Sequence, residues 1–264
     1  MRTSTGWWVS VALLTAGLWA LRSDARLEGG AGRRMGRMSA LPRVTVWAWE
    51  RREDLRAVDA ATTAVAYLDQ TLLVDGGGVV VKPQRQGLLL PAALGLVRIP
   101  VVRIETGPDV VLNDATAEVV ASAVAESAVA GAAALQIDFD ARTSEREWYR
   151  KVLTRVRAKI PAGMPLSMTA LASWCSYDNA WMQGLPVDEA VPMLFRMEPD
   201  RRRAVALGAG DRDEFVIREP LCRGSVGIST RERWPREMAG KRVYVFADEG
   251  WRRDGLEETV RRLW

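Results

Sequence analysis

Two aspartates one residue apart, Asp138 and Asp140, are the residues of this 264-residue chain best placed to do chemistry. They end the run Leu135-Gln136-Ile137-Asp138-Phe139-Asp140, in which apolar and polar side chains alternate. Side chains repeat every two residues along a strand. Leu135, Ile137 and Phe139 therefore face one way, towards covering helices, and Gln136, Asp138 and Asp140 face the other. Turning carboxylates into a protein interior is costly without partners or a ligand. The same spacing puts Arg103 with Glu105, and Ser167 with Thr169, on single strand faces. Glu50, Asp248 and Glu249 follow other strand-like runs, and Trp47, Trp49 and Trp174 lie close to such ends. Several carboxylates beside flat aromatic surfaces suit a carbohydrate: acids protonate or attack at the glycosidic bond, and ring faces pack on sugars. The expected catalytic group is Asp138 or Asp140 as nucleophile or base, with Glu105, Asp248 or Glu249 as proton donor. Trp47, Trp49, Arg103, Gln136, Thr169, Trp174 and Glu249 are the expected substrate contacts.

Composition removes other chemistries. The chain has no histidine, which excludes Ser–His–Asp and Cys–His catalysis and His-based metal sites. Two cysteines cannot hold a structural zinc, so neither metal nor cofactor is expected. Asp75-Gly76-Gly77-Gly78 reads as a turn joining a hairpin, Leu72–Val74 to Val79–Val81; a phosphate cradle would need a helix after it. Lys82, Lys151, Lys159 and Lys241 sit in helical or turn contexts, which disfavours a Schiff base. The net charge of +4 comes without a Lys/Arg run interleaved with aromatics, so nucleic acid is not an expected partner. Two plainer roles stand beside the chemical ones. Arg103 would equally well neutralise Asp138 and Asp140 in a structural ion-pair network, and each of the three tryptophans would equally well serve as core.

Eight strand-like runs must position these residues: Val44–Trp49, Val65–Val74, Val97–Glu105, Leu135–Phe139, Leu166–Leu171, Ala190–Phe195, Val226–Ser229 and Val243–Ala247. Helical patterns alternate with them, which predicts βαβ units and a parallel sheet. Asn113 or Asp114 caps an Ala-rich helix over 115–133. Ser144 with Glu147 forms a capping-box pattern for a helix over 144–159, whose apolar face is Trp148, Val152, Val156 and Ile160. Glu198–Leu207 and Asp254–Leu263 are further helix candidates, and 208–224 is loop-like. The fold class expected is α/β: a (β/α)8 TIM-like barrel, irregular in places, in one domain over 43–264. Its active end is the C-terminal edge of the strands. An open doubly wound sheet is the competing architecture.

Arg2 and the apolar run from Trp7 to Leu21 have the build of a signal peptide over residues 1–25, short for a permanent membrane anchor. The arginines that follow, at 22, 26, 33, 34 and 37, favour the opposite outcome, an uncleaved anchor with the domain left inside. Residues 26–42 read as a flexible Gly/Arg-rich tether. The expected location is the periplasm or cell envelope, with inner-membrane anchoring as the alternative. Export would allow a Cys175–Cys222 disulfide; two buried free thiols are the other reading.

The blocks VWAWERREDL, VAYLDQTLLV, VVRIE, LQIDFDARTSEREWYRKVL, LSMTALASWC, LPVDEAVPMLFRM, CRGSVGIST and RVYVFADEGW occur in this order. They resemble the bacterial domain-of-unknown-function 3142 family over roughly residues 43–252. The resemblance implies one domain and carries no activity. A weaker likeness joins Ile137-Asp138-Phe139-Asp140 to the strand-four signature of chitinase-like, family-eighteen glycosidases. In that pattern the catalytic Glu falls two residues later, where this chain has Arg142, and the opening Asp falls where it has Leu135. Met193 and Phe195 are loosely similar to that family's strand six, without its hydroxyl. Catalysis would then depend on a carboxylate from another strand. Three functions follow as expectations: a glycoside hydrolase-like enzyme, a non-catalytic barrel binding a carbohydrate or cell-envelope glycan, and a membrane-tethered structural protein.

Overall fold

The computed structural model describes residues 36–92, 95–129, 131–195 and 215–264. Eight parallel strands form the barrel: β1 (Val44–Ala48), β3 (Thr63–Asp75), β6 (Arg98–Thr106), β7 (Leu135–Asp138), β8 (Leu166–Leu171), β9 (Glu189–Met193), β10 (Ser225–Ser229) and β11 (Arg242–Phe246). Closure is made by β1, which pairs with β11 on one side and β3 on the other. This corrects the open-sheet alternative. An open sheet leaves an unpaired edge, whereas β1 uses its backbone donors and acceptors on both sides.

The hairpin expected at the Gly-rich turn is present. After a bulge between Leu68 and Gln70, β3 runs on past the barrel and pairs antiparallel with β4 (Gly78–Pro83). The bulge lets Gln70 turn outward, where its amide donates to the Ala123 carbonyl and to Ser127 Oγ. Two short strands, β2 (Glu53–Asp54) and β5 (Leu88–Leu89), pair outside the barrel.

Helices α1 (Asp114–Glu126) and α2 (Arg146–Lys159) cover the strands on either side of β7. Asn113 caps α1: its side chain accepts from the Thr116 amide at 2.9 Å, and Thr116 Oγ1 accepts from the Asn113 amide at 3.0 Å. The helix ends at Glu126, seven residues earlier than the Ala-rich run suggests, and Gly131 adopts φ +88° on the way into β7. The entry to α2 also differs. A short 3-10 turn, Thr143–Glu145, precedes it, and the carboxylate that reaches back is Glu145, accepting from the Arg142 amide at 2.6 Å. Glu147 is not the capping acid. Further on, α3 (Ala172–Cys175) follows β8. The C-terminal helical stretch is split into α4 (Trp251–Asp254) and α5 (Leu256–Arg261) by Gly255, at φ +73°. The helix expected at Glu198–Leu207 lies outside the described residues.

Two of the three core clusters frame the site. Outside the barrel, Leu135, Ile137 and Phe139 pack with Trp148, Tyr149, Val152 and Val156 of α2. Inside it, Trp47, Ala64, Ala66, Ile99, Val101, Val191 and Tyr244 pack together. Below them the interior is polar. Glu189 accepts from Tyr244 OH (2.8 Å), Ser167 Oγ (3.2 Å) and Arg242 Nη2 (2.9 Å). Burial, with Glu189 beside it, pushes the Tyr244 phenol well up.

Residues 36–42, expected as part of a flexible tether, dock under this floor. Met38 is buried and its carbonyl accepts from Arg242 Nη1 at 2.7 Å, while Arg37 pairs with Asp188 at 3.0 Å. Residues 1–35, including the apolar run, lie outside the described residues. No helix among the described residues is long and apolar enough to cross a membrane. Cys175 and Cys222 form a disulfide, tying α3 to the turn ahead of β10.

Candidate functional site

Strand β7 ends on Asp138 at the C-terminal end of the barrel, with Arg103 directly opposite it in the β6–β7 register, and Asp140 follows two residues on. Asp138 is half-buried and accepts a hydrogen bond from Thr169 Oγ1 of β8 at 2.8 Å. Its carboxyl is pushed up to about 6, first by burial and then by the negative charge of Asp140; Glu105 adds to the rise, while Thr169 and Arg103 oppose it. Asp140 is exposed. A carboxyl with these neighbours exchanges protons near neutral pH, which suits general acid or base work.

Arg103 does not form an ion pair with either aspartate. Its guanidinium binds Glu105 at 2.8 Å and Glu50 at 3.6 Å, and it lies over the Trp49 ring at 5.4 Å. The alternative in which it neutralises the aspartate pair therefore holds only as a long-range charge effect. Trp49 is half-buried at the rim and touches Trp47 and Phe246. Phe246 in turn stacks on Phe195 at 5.8 Å.

Asp248 follows β11, four strands around from β7 and so on the opposite side of the mouth. It accepts from Ser229 Oγ at 2.7 Å. Glu105, on the neighbouring strand, acts electrostatically on Asp138, whereas Asp248 is not among the groups that do so. Glu249 lies further out, in ion pairs with Arg231 at 3.0 Å and Arg253 at 3.4 Å.

Three expected substrate contacts, Gln136, Trp47 and Trp174, are buried rather than open at the mouth. Gln136 is fully buried below the aspartates, accepting from Trp47 Nε1 at 3.1 Å and donating to Ser167 Oγ at 3.0 Å. Trp47 is buried with it. Both side chains fill the barrel interior, because side chains one step down a closed barrel meet each other across it. Trp174 is fully buried outside the barrel, against Trp181 at 4.8 Å and under the Arg146 guanidinium. It offers no open face to a ring.

Sequence reasoning passed over two residues beside the site. Glu145 is buried, accepting from Thr106 Oγ1 at 2.7 Å as well as from the Arg142 amide. Its three-residue spacing from Arg142 was the available signal. Tyr149 stands one position after the apolar-face residue Trp148, and nothing in the helical pattern distinguishes its hydroxyl. Arg142, at the place of the missing glutamate, is exposed and bonds to Thr106 and Glu145. Among the described residues no group of three or more potential ligands is arranged to hold a metal.

No family model matches the chain, and no curated protein matches it, so the family resemblance noted in the sequence gains no support from either comparison. Among solved structures, the chain is similar to a protein assigned as chitinase A from Streptomyces coelicolor, at 12% identity and a TM-score of 0.49, over 84% of this chain and 94% of that one. It is also similar to an endo-beta-N-acetylglucosaminidase from Cordyceps militaris in apo form, at 7% identity and a TM-score of 0.38, over 84% of this chain and 85% of that one.

Proposed function

We propose that this barrel acts on a carbohydrate, in the manner of a glycoside hydrolase, with Asp138 and Asp140 as the working carboxylates. The observation that carries the reading is Asp138 itself: a carboxyl at a barrel strand end, pushed up to about 6 and set beside Asp140 and Glu105. Such a group holds a proton part of the time near neutral pH and can pass it to a leaving oxygen or take it from a water. In this reading Glu105 is the second carboxylate, since it lies on the adjacent strand, and Asp248 serves from across the mouth. Trp49 gives the rim an apolar face for a sugar ring. Arg103 sets the position of Glu105, and Thr169 that of Asp138. The test is a screen of cell-envelope and storage glycans with the wild type, Asp138→Asn and Asp140→Asn. Loss of about a hundredfold or more in turnover in either folded variant supports the reading; turnover unchanged in both refutes it.

A second reading is a barrel that binds a glycan without cleaving it. It is favoured by Arg142, which stands where the nearest enzymatic pattern has its acid, and by the engagement of Glu50 and Glu105 with Arg103. Binding by calorimetry that survives both Asp→Asn changes, with no product, would select it.

The proposed location is the periplasm or cell envelope. The Cys175–Cys222 disulfide supports an oxidising compartment. N-terminal sequencing of the protein recovered from cell fractions distinguishes a cleaved signal from a retained anchor.

A further inference from the structure

Tyr149 is fully buried on α2, and among the described residues its hydroxyl has no hydrogen-bond partner. Its ring is held on two sides: Phe139 meets it edge-on at 5.1 Å and Trp181 lies at 6.2 Å. Phe139 is the residue between Asp138 and Asp140, so this packing fixes the phenol beside the end of β7. An enclosed hydroxyl without an acceptor destabilises a fold, and a phenylalanine would fill the same space without that cost. Asp138 and Asp140 flank Phe139 in the chain and are the candidate acceptors, and a buried water commonly bridges such groups. We propose that Tyr149 is a positioning residue for the Asp138–Asp140 pair, its O–H donating through a bridging water to the charged carboxylate.

The surrounding charges agree with this placement. After burial, the groups that raise the Tyr149 phenol are Asp138 and Asp140. Arg103 and Glu105 face Asp138 from β6, and Thr169 bonds to it from β8. On the α2 side, Arg146 is held by Asp178, and Glu145 by Thr106 and Arg142. Thr169 is the direct donor to Asp138, and the groups on the α2 side are engaged with one another.

The proposal rests on the reading that the aspartate pair is the working site, but its test needs no substrate. Carboxyl-carbon NMR titrations of Asp138 and Asp140 are recorded in the full chain, as wild type and as Tyr149→Phe. A donor to the charged form lowers a carboxyl's pKa. Its removal is therefore expected to move the Asp138 titration upward by about half a pH unit or more. A titration unmoved to within about a fifth of a unit overturns the proposal. So does a Tyr149→Phe chain that fails to fold, since the hydroxyl would then be a structural donor. Because turnover is not measured, a failed glycan screen and a failed titration are separate results.

Discussion

Replacing Asp138 with asparagine should make this protein more stable at neutral and higher pH, and the size of the gain follows from the site. The carboxyl is pushed from an ordinary 3.8 up to about 6 in the fold, chiefly by burial. The gap of about two pH units corresponds to about 3 kcal/mol, at about 1.4 kcal/mol per unit. The sign is set by linkage. The folded state holds this proton more tightly than the unfolded chain does. The stabilisation is therefore fully present below about pH 4, declines as pH rises, and is lost above about 6. Put the other way, ionising Asp138 at pH 8 costs the fold about 3 kcal/mol. Asparagine carries no charge, and its side-chain oxygen can still accept from Thr169. Asp138→Asn should therefore gain about 2–3 kcal/mol over the wild type at pH 8 and almost nothing at pH 4. For a barrel of this size that is a rise of roughly 4–12 °C in Tm. Urea unfolding of both proteins at intervals from pH 4 to pH 8 measures the difference directly. A stability difference that stays flat with pH, or an Asp138→Asn protein less stable at pH 8, would refute the claim that burial destabilises this charge. A gain in stability paired with a loss of turnover is the pattern expected where a destabilised residue serves function.

Three further outcomes are expected. Asp140→Asn removes the second-largest cause of the Asp138 rise; the Asp138 titration should move down towards the ordinary carboxylate range, as read by carboxyl-carbon NMR. Glu189→Ala strands the Arg242 guanidinium under the barrel and removes the acceptor of Tyr244 OH and Ser167 Oγ. Breaking a buried pair in this way costs about 3–5 kcal/mol, so denaturant unfolding should show a large loss. Replacing Cys175 and Cys222 together with serine opens a link across 47 residues and should cost about 2–4 kcal/mol, with the wild type losing a similar amount when reduced.

The eight strand-like runs were legible because strands buried under helices keep long apolar stretches that the intervening helices interrupt. The direction of Asp138 was legible for an equally local reason, the two-residue repeat of a strand. Leu135, Ile137 and Phe139 pack on α2, and Gln136 reaches Trp47 inside the barrel. Helix ends were less so: the residue reaching back at the start of α2 is Glu145, because the chain enters through a 3-10 turn that spacing from Ser144 does not reveal.

What the sequence determined by itself is the eight barrel strands, the absence of histidine, and the inward face of β7. Each depends on residue type or on the period of a single strand. Tertiary structure decided the rest. Closure depends on β1 meeting β3 and β11, a pairing between segments far apart in the chain. Depth separates Gln136 and Trp47, buried in the barrel, from Asp138 at its mouth, although all three satisfy the same alternation. The partner of Arg103 was also a matter of space: it binds Glu105 and Glu50, while Asp138 accepts from the Thr169 hydroxyl and has a raised pKa. Burial and charge act through distance in three dimensions, so the property that makes Asp138 a candidate for chemistry appears only in the folded barrel.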